Sequence, residues 1–273
     1  FGIIMGFQNF DMGKGFFGSP WADNFGFEHF IRFFHDKDFW VLFWNTLIYG
    51  ALSLVFVFPA PVCLGLMIHS VKRPWYRRLI LTCVYLPYFI SVVVTCTIIQ
   101  QLASDTGVFT ELFRSLGLAG EDTGIVNDPR FFRWIIVVSD IWQTIGFNSI
   151  IYIAALGGID ESLYEAAELD GAGRWAKIWH ISLPGILPTI MMLLIMKVGT
   201  MLNVGYEKLY VLKNRYNEDV AETISVYVYE KGALGAGAWS YTTAIGFFNS
   251  VLSFALLLGA NWVSKKLTKS GIL

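Results

Sequence analysis

The stretch that decides the fold is residues 165–188, which read EAAELDGAGRWAKIWHISLPGILP. It is polar and partly charged, and it lies between two apolar runs that are each long enough to cross a bilayer. Its small, acidic and aromatic residues follow the pattern of two short helices joined by glycines. The sequence therefore predicts a folded connection between two membrane helices.

The first of these short helices is predicted over 162–170. Ser162 is a candidate N-cap, and Glu165 follows three residues later, as in a capping box. Gly171 and Gly173 are expected to end the helix in a left-handed turn. One face, at the i, i+3, i+4, i+7 spacing, carries mostly small side chains, namely Leu163, Ala166, Ala167 and Asp170. Small side chains let the backbone of another protein approach closely.

Composition agrees with a membrane protein. Of the 273 residues, 55% are hydrophobic and only 15% are charged, whereas about a quarter of the residues of a soluble domain are charged. The net charge of -1 gives no argument for a nucleic-acid partner. The three cysteines lie inside apolar runs, where they are expected to be small buried hydrophobes.

Five apolar runs are predicted to span the bilayer as helices, because lipid cannot satisfy open backbone groups. They lie at 40–69, 79–103, 131–156, 185–206 and 242–264. Prolines 59, 61 and 87 inside these runs are interpreted as kinks. Leu183-Pro184 is expected to begin the fourth span, since proline is tolerated in the first turn of a helix. The predicted fold class is an all-α membrane protein.

The predicted organisation has three parts. Residues 1–39 contain the stub of an N-terminal sixth helix, followed by a periplasmic amphipathic segment. The membrane domain covers 40–264 and includes a cytoplasmic segment at 160–184. Residues 265–273 form a cytoplasmic tail.

The orientation follows from the positive-inside rule. The basic residues that place their links inside are Lys72, Arg73, Arg77, Arg78, Arg174, Lys177, Lys265, Lys266 and Lys269. The links at 104–130 and 207–241 then lie outside, the first with an acidic excess that includes Glu121 and Asp122. The alternation is self-consistent and puts the segment 165–188 on the cytoplasmic side.

Polar side chains inside the predicted spans are the next feature, since they are costly in lipid and face a cavity or a partner. The amides that we single out are Gln143, Asn148, Asn203 and Asn249. Asp140 and Lys197 are estimated to lie at a similar depth, roughly 14 Å below the outer boundary. We expect these two charges to pair directly or to share a polar cavity.

No enzyme chemistry is evident in the sequence. The phosphate-binding pattern G-x-x-x-x-G-K-[ST] does not occur, the four histidines lack metal-ligand spacing, and no Ser/His/Asp constellation stands out. We therefore expect no catalytic residue, no metal and no cofactor in this chain.

The segment 165–188 resembles the EAA signature of permease subunits in binding-protein-dependent ABC importers. The matching positions are Glu165, Ala166, Ala167, Asp170, Gly171, Ala172, Ile181, Leu183 and Pro184, with a second proline at Pro188. The resemblance implies the type I ABC importer transmembrane fold in a bacterial inner membrane. It also implies that a separate ATPase dimer grips this segment, with coupling residues Glu165, Ala166, Ala167, Asp170, Gly171, Ala172 and Gly173.

The segment 1–21 is similar to the sugar-permease branch for oligosaccharides, and within it to a permease of alginate importers. This likeness implies a second permease subunit, a periplasmic or lipid-anchored solute-binding protein and an oligosaccharide substrate such as alginate fragments. Gln143, Asn148, Asn203 and Asn249 then become candidates for the substrate path. Hydrogen bonding between helices is the alternative for these amides, and a structural ion pair is the alternative for Asp140 and Lys197.

Two further alternatives stay open from the sequence. The chain is an importer permease for another solute, or a channel or secondary transporter that works without an ATPase. The aromatic residues near the predicted outer surface form an interfacial belt against membrane lipid or a landing surface for the binding protein. They are Phe16, Phe17, Trp21, Phe25, Phe27, Phe30, Phe33, Phe34, Phe39 and Trp40.

Overall fold

The structure is a computed structural model, and it describes residues 2–71, 73–120, 123–203, 205–235 and 238–268. Several residues used above for the orientation lie outside the described residues. These are Lys72, Glu121, Asp122 and Lys269.

Helices dominate the described chain. The α-helices are α1 Gly15–Gly18, α2 Glu28–Phe34, α3 Phe39–Leu52, α4 Pro59–His69, α5 Pro74–Tyr85, α6 Val92–Ala103, α7 Val108–Ser115, α8 Pro129–Gly157, α9 Glu161–Leu169, α10 Arg174–Lys177, α11 Leu183–Thr200, α12 Tyr206–Leu212, α13 Glu218–Ala221, α14 Ile224–Tyr229 and α15 Trp239–Thr268. Short 3-10 segments lie at Gly2–Phe7, Asn24–Gly26 and Leu86–Phe89, and π-helical turns at Ser53–Val57, Ile178–Ser182 and Glu230–Leu234.

Five helical stretches of the described chain are long and apolar enough to cross a membrane, as predicted. They are Phe39–His69, Val92–Ser115, Pro129–Gly157, Arg174–Thr200 and Trp239–Lys266. The all-α membrane fold is therefore confirmed. The predicted N-terminal stub is a six-residue 3-10 segment, Gly2–Phe7.

The second predicted span, 79–103, is wrong as a single helix. The chain leaves the helix after Phe89, and Ile90 is extended, with ψ 131°. Pro87 lies in the 3-10 turn and cannot donate a helical hydrogen bond, which favours a break at this point. The side chain of Gln143 donates to the carbonyl of Ile90 at 2.9 Å and replaces a bond that the break removes. Pro87 therefore marks a break, whereas a kink was expected.

The fourth span also differs from its predicted bounds of 185–206. Its helical stretch begins at Arg174 and ends at Thr200, and within that stretch the α-helix α11 begins at Leu183-Pro184, as expected. The chain passes Pro184 through a π-helical turn, in which the N–H of Leu183 donates to Ile178 five residues back. Because proline removes one helical donor, a widened turn keeps the helix continuous here.

Contacts divide the chain into two compact units. Unit 1 comprises Phe1–Ala51, Val92–Ile136 and Gly199–Leu256, and unit 2 comprises Leu52–Ser91, Val137–Val198 and Leu257–Leu273. The core of unit 2 is built on α4, α8 and α11 and includes Val62, Tyr152, Leu156 and Ile186. Unit 1 has one buried cluster around Tyr49, Phe132 and Leu209 and a second around Phe33, Leu42 and Ile245.

Candidate functional site

The first part of the EAA-like segment lies in helix α9. The prediction that Ser162 is the N-cap of this helix is wrong, because the N-cap is Asp160. The Asp160 side chain accepts a hydrogen bond from the backbone N–H of Ser162 at 3.0 Å. This bond holds the pKa of Asp160 below its usual value. An aspartate two residues upstream of Ser162 caps this end well, so the capping box with Glu165 does not form.

The end of α9 depends on one glycine. Gly171 has φ +79°, the expected left-handed conformation, and the N–H of Ala172 donates to the carbonyl of Ala167 at 2.8 Å. Gly173 was expected to share this role, but it has φ -71° and serves as the N-cap of α10. Only Gly171 needs the conformational freedom of glycine.

Helix α9 has no buried residue. Leu163 is 52% exposed and Leu169 is 90% exposed. A helix normally buries one face against its own protein, and a short isolated helix is marginal in water. An amphipathic helix that exposes its apolar side chains is typical of a surface that another molecule covers.

Three side-chain contacts hold α9 to the rest of unit 2. The Tyr164 hydroxyl and the Ser182 hydroxyl are hydrogen-bonded at 2.9 Å. The Tyr164 ring lies 5.8 Å from the ring of His69 at the end of α4. Lys177 pairs with Glu168. A cavity of about 430 Å³ lies among these residues, so the helix is tethered by polar contacts and is not packed closely.

Tyr164 and Ser182 were not singled out from the sequence. Ser182 is buried and closes the π-helical turn that precedes α11. The hydrogen bond therefore joins the exposed helix to the one irregular turn of the following membrane helix. Spacing on a helix gives no sign of a contact across 18 residues and two turns.

Two of the four candidate path residues are brought together. In unit 1 the amide of Asn249 donates to the side-chain oxygen of Asn203 at 3.0 Å. The buried oxygen of Asn249 has no hydrogen-bond partner in the described chain, and neither has the buried hydroxyl of Ser253, one helical turn further along α15. Buried polar atoms normally have a partner, so this place suits a water molecule or a polar ligand. Ser253 was missed, although its i+4 spacing from Asn249 was visible in the sequence.

The other two candidates lie in unit 2 and have different surroundings. Gln143 is buried and donates to Ile90, as described above. Asn148 is exposed. The bond of Gln143 favours the structural interpretation that was open for it.

The charges of Asp140 and Lys197 lie close enough in unit 2 to interact. The estimate of a common depth was wrong in one respect, because it assumed that the fourth span reaches residue 206. The helix ends at Thr200, so Lys197 is three residues from that end.

The comparisons with known proteins agree with this architecture. The model of the family "Binding-protein-dependent transport system inner membrane component" matches residues 61–269. The chain belongs to this family. It is thus the permease class of ABC transporter subunit and a multi-pass protein of the inner membrane, and the resemblance drawn from the EAA-like segment is confirmed.

Particular relatives narrow the class. The chain is 39% identical over 272 residues to the polygalacturonan/rhamnogalacturonan transport system permease protein YteP of Bacillus subtilis, covering 99% of this chain and 83% of that one. It is also similar to a bacterial ABC transporter involved in the import of the acidic polysaccharide alginate, with 38% identity and TM-score 0.85 over 98% of this chain and 88% of the other. A second structure is that of a bacterial alginate ABC transporter in complex with an alginate pentasaccharide-bound periplasmic protein, with 39% identity and TM-score 0.83 over 90% and 85%.

Proposed function

We propose that this chain is the membrane-spanning permease subunit of an ATP-driven importer for acidic oligosaccharides. The observation that carries the proposal is helix α9, an exposed helix with the EAA-like sequence in a chain of the permease family. The chain works with a second permease subunit, an ABC ATPase dimer and a solute-binding protein. ATP hydrolysis takes place in the ATPase subunits.

The coupling step is assigned to α9 and the turn that ends it. The exposed face of α9 enters a groove of the ATPase, with Glu165, Ala166, Ala167, Asp170, Gly171, Ala172 and Gly173 at the contact. Ala166 and Ala167 lack bulk, so the ATPase backbone can approach closely. Motion of the docked helix passes through Tyr164 to Ser182 and into the helix that follows, as a rigid-body displacement.

The substrate class is supported by the names of the relatives. Polygalacturonan and alginate are both acidic polysaccharides, so an oligosaccharide with carboxylate groups is the shared chemistry. Asn203, Asn249 and Ser253 supply amide and hydroxyl groups that suit sugar hydroxyls. Binding of alginate and galacturonate oligosaccharides to the companion solute-binding protein, measured by calorimetry, tests this assignment. Selective binding of a peptide or an amino acid would support the alternative of a different solute.

The coupling assignment is tested in proteoliposomes that contain the whole transporter. Ala167→Trp and Gly171→Pro should abolish ATP-dependent uptake while the protein stays in the membrane. Leu118→Trp, a change at an exposed residue of the link 104–130, is the control and should leave uptake unchanged. Normal uptake in both α9 variants would reject the docking role. Uptake that continues without ATP would support a channel or secondary transporter.

We also propose that Asp140 and Lys197 form a structural ion pair within unit 2. Lys197→Met leaves the Asp140 charge without its partner in an apolar region, which is unfavourable. The double variant with Asp140→Leu removes both charges and should assemble better than the single variant. Equal assembly yields of the two variants, measured by purification from membranes, would reject the pairing.

A further inference from the structure

The turn before α2 has an unusual backbone. Asn24, Phe25 and Gly26 have φ values of 55°, 59° and 89°, so three consecutive residues are left-handed. Glycine and asparagine tolerate this region, whereas a bulky residue such as phenylalanine rarely adopts it. The Phe25 side chain is fully exposed, with a relative accessibility of 101%. Among the described residues, no contact of its ring offsets the unfavourable backbone conformation.

The scaffold around the turn imposes this conformation. The N–H of Gly26 donates to the carbonyl of Ala22 at 2.9 Å, and the N–H of Glu28 donates to the carbonyl of Asp23 at 3.2 Å. A Cβ atom on Gly26 would lie 3.0 Å from the carbonyl oxygen of Phe7, so the backbone is closely packed at this point. The turn is therefore held rigidly with the Phe25 ring pointing away from the protein. Strain of this kind often marks a functional position.

Phe25 belongs to a larger apolar surface. We define the N-terminal aromatic surface as Phe17, Trp21, Phe25, Phe27, Ile31 and Phe34, whose exposures range from 43% to 101%. The opposite side of α2 is buried through His29 and Phe33. Helix α2 thus has one face fixed to the protein and an apolar face that the described chain leaves uncovered.

The contacts between α2 and α15 show which part of α15 lies beside this surface. Phe30 lies 6.1 Å from Phe247 and Phe34 lies 5.3 Å from Phe248, between ring centroids. The Tyr241 hydroxyl donates to Asp36 at 3.0 Å. All three α15 residues are within the first ten of the candidate span Trp239–Lys266. That span is about 42 Å long at 1.5 Å per residue, longer than the roughly 30 Å hydrocarbon core, so its first turns reach the headgroup region.

The aromatic surface is also continuous with a lipid-facing helix. Four residues separate α2 from α3, which opens the candidate span Phe39–His69. Trp40 is 63% exposed and Trp44 is 56% exposed, one turn apart at the start of this span. Tryptophan at the end of a membrane helix marks the interface between lipid and water. The exposed aromatic residues of α2 and α3 therefore occupy the same zone.

We propose that the N-terminal aromatic surface is inserted in the lipid leaflet at the membrane face where α15 begins, with Phe25 as its projecting tip. The rigid turn already holds the Phe25 ring away from the protein, so that little conformational entropy is lost when the ring enters the lipid. Amphipathic helices bind at the interface in this way, with the apolar face among the acyl chains. The inference does not depend on which solute is transported or on the coupling role of α9.

The test measures where a spin label at position 25 lies. Phe25→Cys is made with Cys63, Cys83 and Cys96 replaced by alanine, labelled with a nitroxide, and reconstituted as the whole transporter in phosphatidylcholine–phosphatidylglycerol vesicles. Collision rates with oxygen, which partitions into lipid, and with a water-soluble nickel chelate are measured by electron paramagnetic resonance. A label at Val55, 61% exposed within the span Phe39–His69, is the lipid reference, and a label at Tyr216, 66% exposed in a polar link, is the water reference.

Insertion predicts frequent oxygen collisions and rare nickel collisions at position 25, as at Val55. The same result is expected for Phe17→Cys, which lies in ordinary helical backbone and guards against a local change of the turn. A nickel rate as high as that at Tyr216 would overturn the proposal. Low rates with both reagents would also overturn it, because the surface would then be covered by protein, either the binding protein or a second permease subunit.

Discussion

The two polar connections on either side of α11 are built in opposite ways. Before α11, helix α9 buries no residue and is held by a few side-chain contacts. After α11, the helices α12, α13 and α14 bury residues such as Leu209, Ala221 and Val226 in the core of unit 1. Both segments are short, charged and helical. The charge and helicity of a connection therefore do not decide whether it packs into the core or stays exposed.

Side chains of the membrane helix α3 hold α13 in place. Asn45 donates to the carbonyls of Asp219 and Glu222 at 2.7 and 2.9 Å, and Tyr49 donates to the carbonyl of Val220 at 3.0 Å. These carbonyls lie at the end of a four-residue helix and have no helical partner. A membrane helix that caps a connecting helix in this way holds it in one position.

Asn45 is expected to give the largest effect. Asn45→Leu removes both donors to α13 and the acceptor of Arg133, whose guanidinium donates to Asn45 at 2.8 Å. A buried polar group without its partner costs about 1–3 kcal/mol, so a loss of roughly 3 kcal/mol in unfolding free energy is expected. Thermal unfolding in detergent should show this as a clear drop in Tm. Asn148→Leu, at an exposed residue, is the matched control. Equal Tm values would mean that α13 is not held by Asn45.

Tyr164 provides the second test, in the exposed helix α9. Tyr164→Phe removes the hydrogen bond to Ser182 and keeps the ring against His69. A hydrogen bond contributes about 1 kcal/mol, which is a roughly fivefold change in an equilibrium. We expect the ratio of transport to ATP hydrolysis to fall by a similar factor, with a drop in Tm that is smaller than that of Asn45→Leu.

The controls for Tyr164 separate coupling from folding. Ser182→Ala should have the same effect as Tyr164→Phe, and the double variant should be no worse than either, because one bond is involved. Tyr76→Phe, at an exposed residue of α5, should leave the ratio unchanged. A drop in Tm as large as that of Asn45→Leu, with transport and ATP hydrolysis lost in equal proportion, would assign Tyr164 to stability alone.

Gly171 is expected to have a smaller effect. With φ +79° it ends α9, and a Cβ added there would meet nothing within 4 Å. Gly171→Ala therefore acts through backbone conformation alone, at a cost of about 1 kcal/mol. We expect weaker binding of the ATPase to the permease, measured by titration in detergent. Gly173→Ala, at φ -71°, is the matched control, because it adds the same methyl group to the contact without backbone strain, and it should lose less binding than Gly171→Ala. Equal loss in both variants would mean that helicity, and not the turn, is responsible.

The comparison also shows what the sequence could and could not reveal. The spans were predictable because apolar length is a local property, and the turn at Gly171 was predictable because glycine ends helices locally. The break that follows Pro87 is completed by a side chain 53 residues away, that of Gln143, which donates to the carbonyl of Ile90. The capping of α13 depends on Asn45, 174 residues from Asp219. Such contacts require the tertiary structure, and they decide which connection is fixed.

The smallest expected effect concerns the charges that surround α13. Lys213 donates to both carboxylate oxygens of Glu230 at 3.0 Å and lies 3.5 and 3.6 Å from Glu218 and Glu222. Burial alone would lower the pKa of Lys213, but the bond to Glu230 and the neighbouring carboxylates raise it above its usual value. Three carboxylates around one ammonium leave an excess of negative charge.

The excess negative charge acts on the carboxyl of Glu222. Burial raises the pKa of Glu222, and Glu230, Glu218 and Asp38 raise it further against the attraction of Lys213. A carboxyl with a raised pKa in the folded protein binds its proton more tightly than in the unfolded chain. Its contribution to stability is therefore present below the unfolded pKa and is lost as pH rises through the folded pKa. Above its folded pKa, the ionised Glu222 therefore destabilises the protein slightly.

Replacing this charge should stabilise the protein. Glu222→Gln is expected to raise Tm at pH 8 by an amount equivalent to less than about 1 kcal/mol, since Glu222 is only partly buried. As pH falls and the wild-type carboxyl becomes protonated, the difference in Tm between the two proteins should shrink. Glu230→Gln is the matched control and should lower Tm at pH 8, because it removes the carboxylate whose two oxygens accept hydrogen bonds from Lys213. If Glu222→Gln lowers Tm at pH 8, its attraction to Lys213 outweighs the burial and repulsion, and α13 is fastened by charge as well as by Asn45.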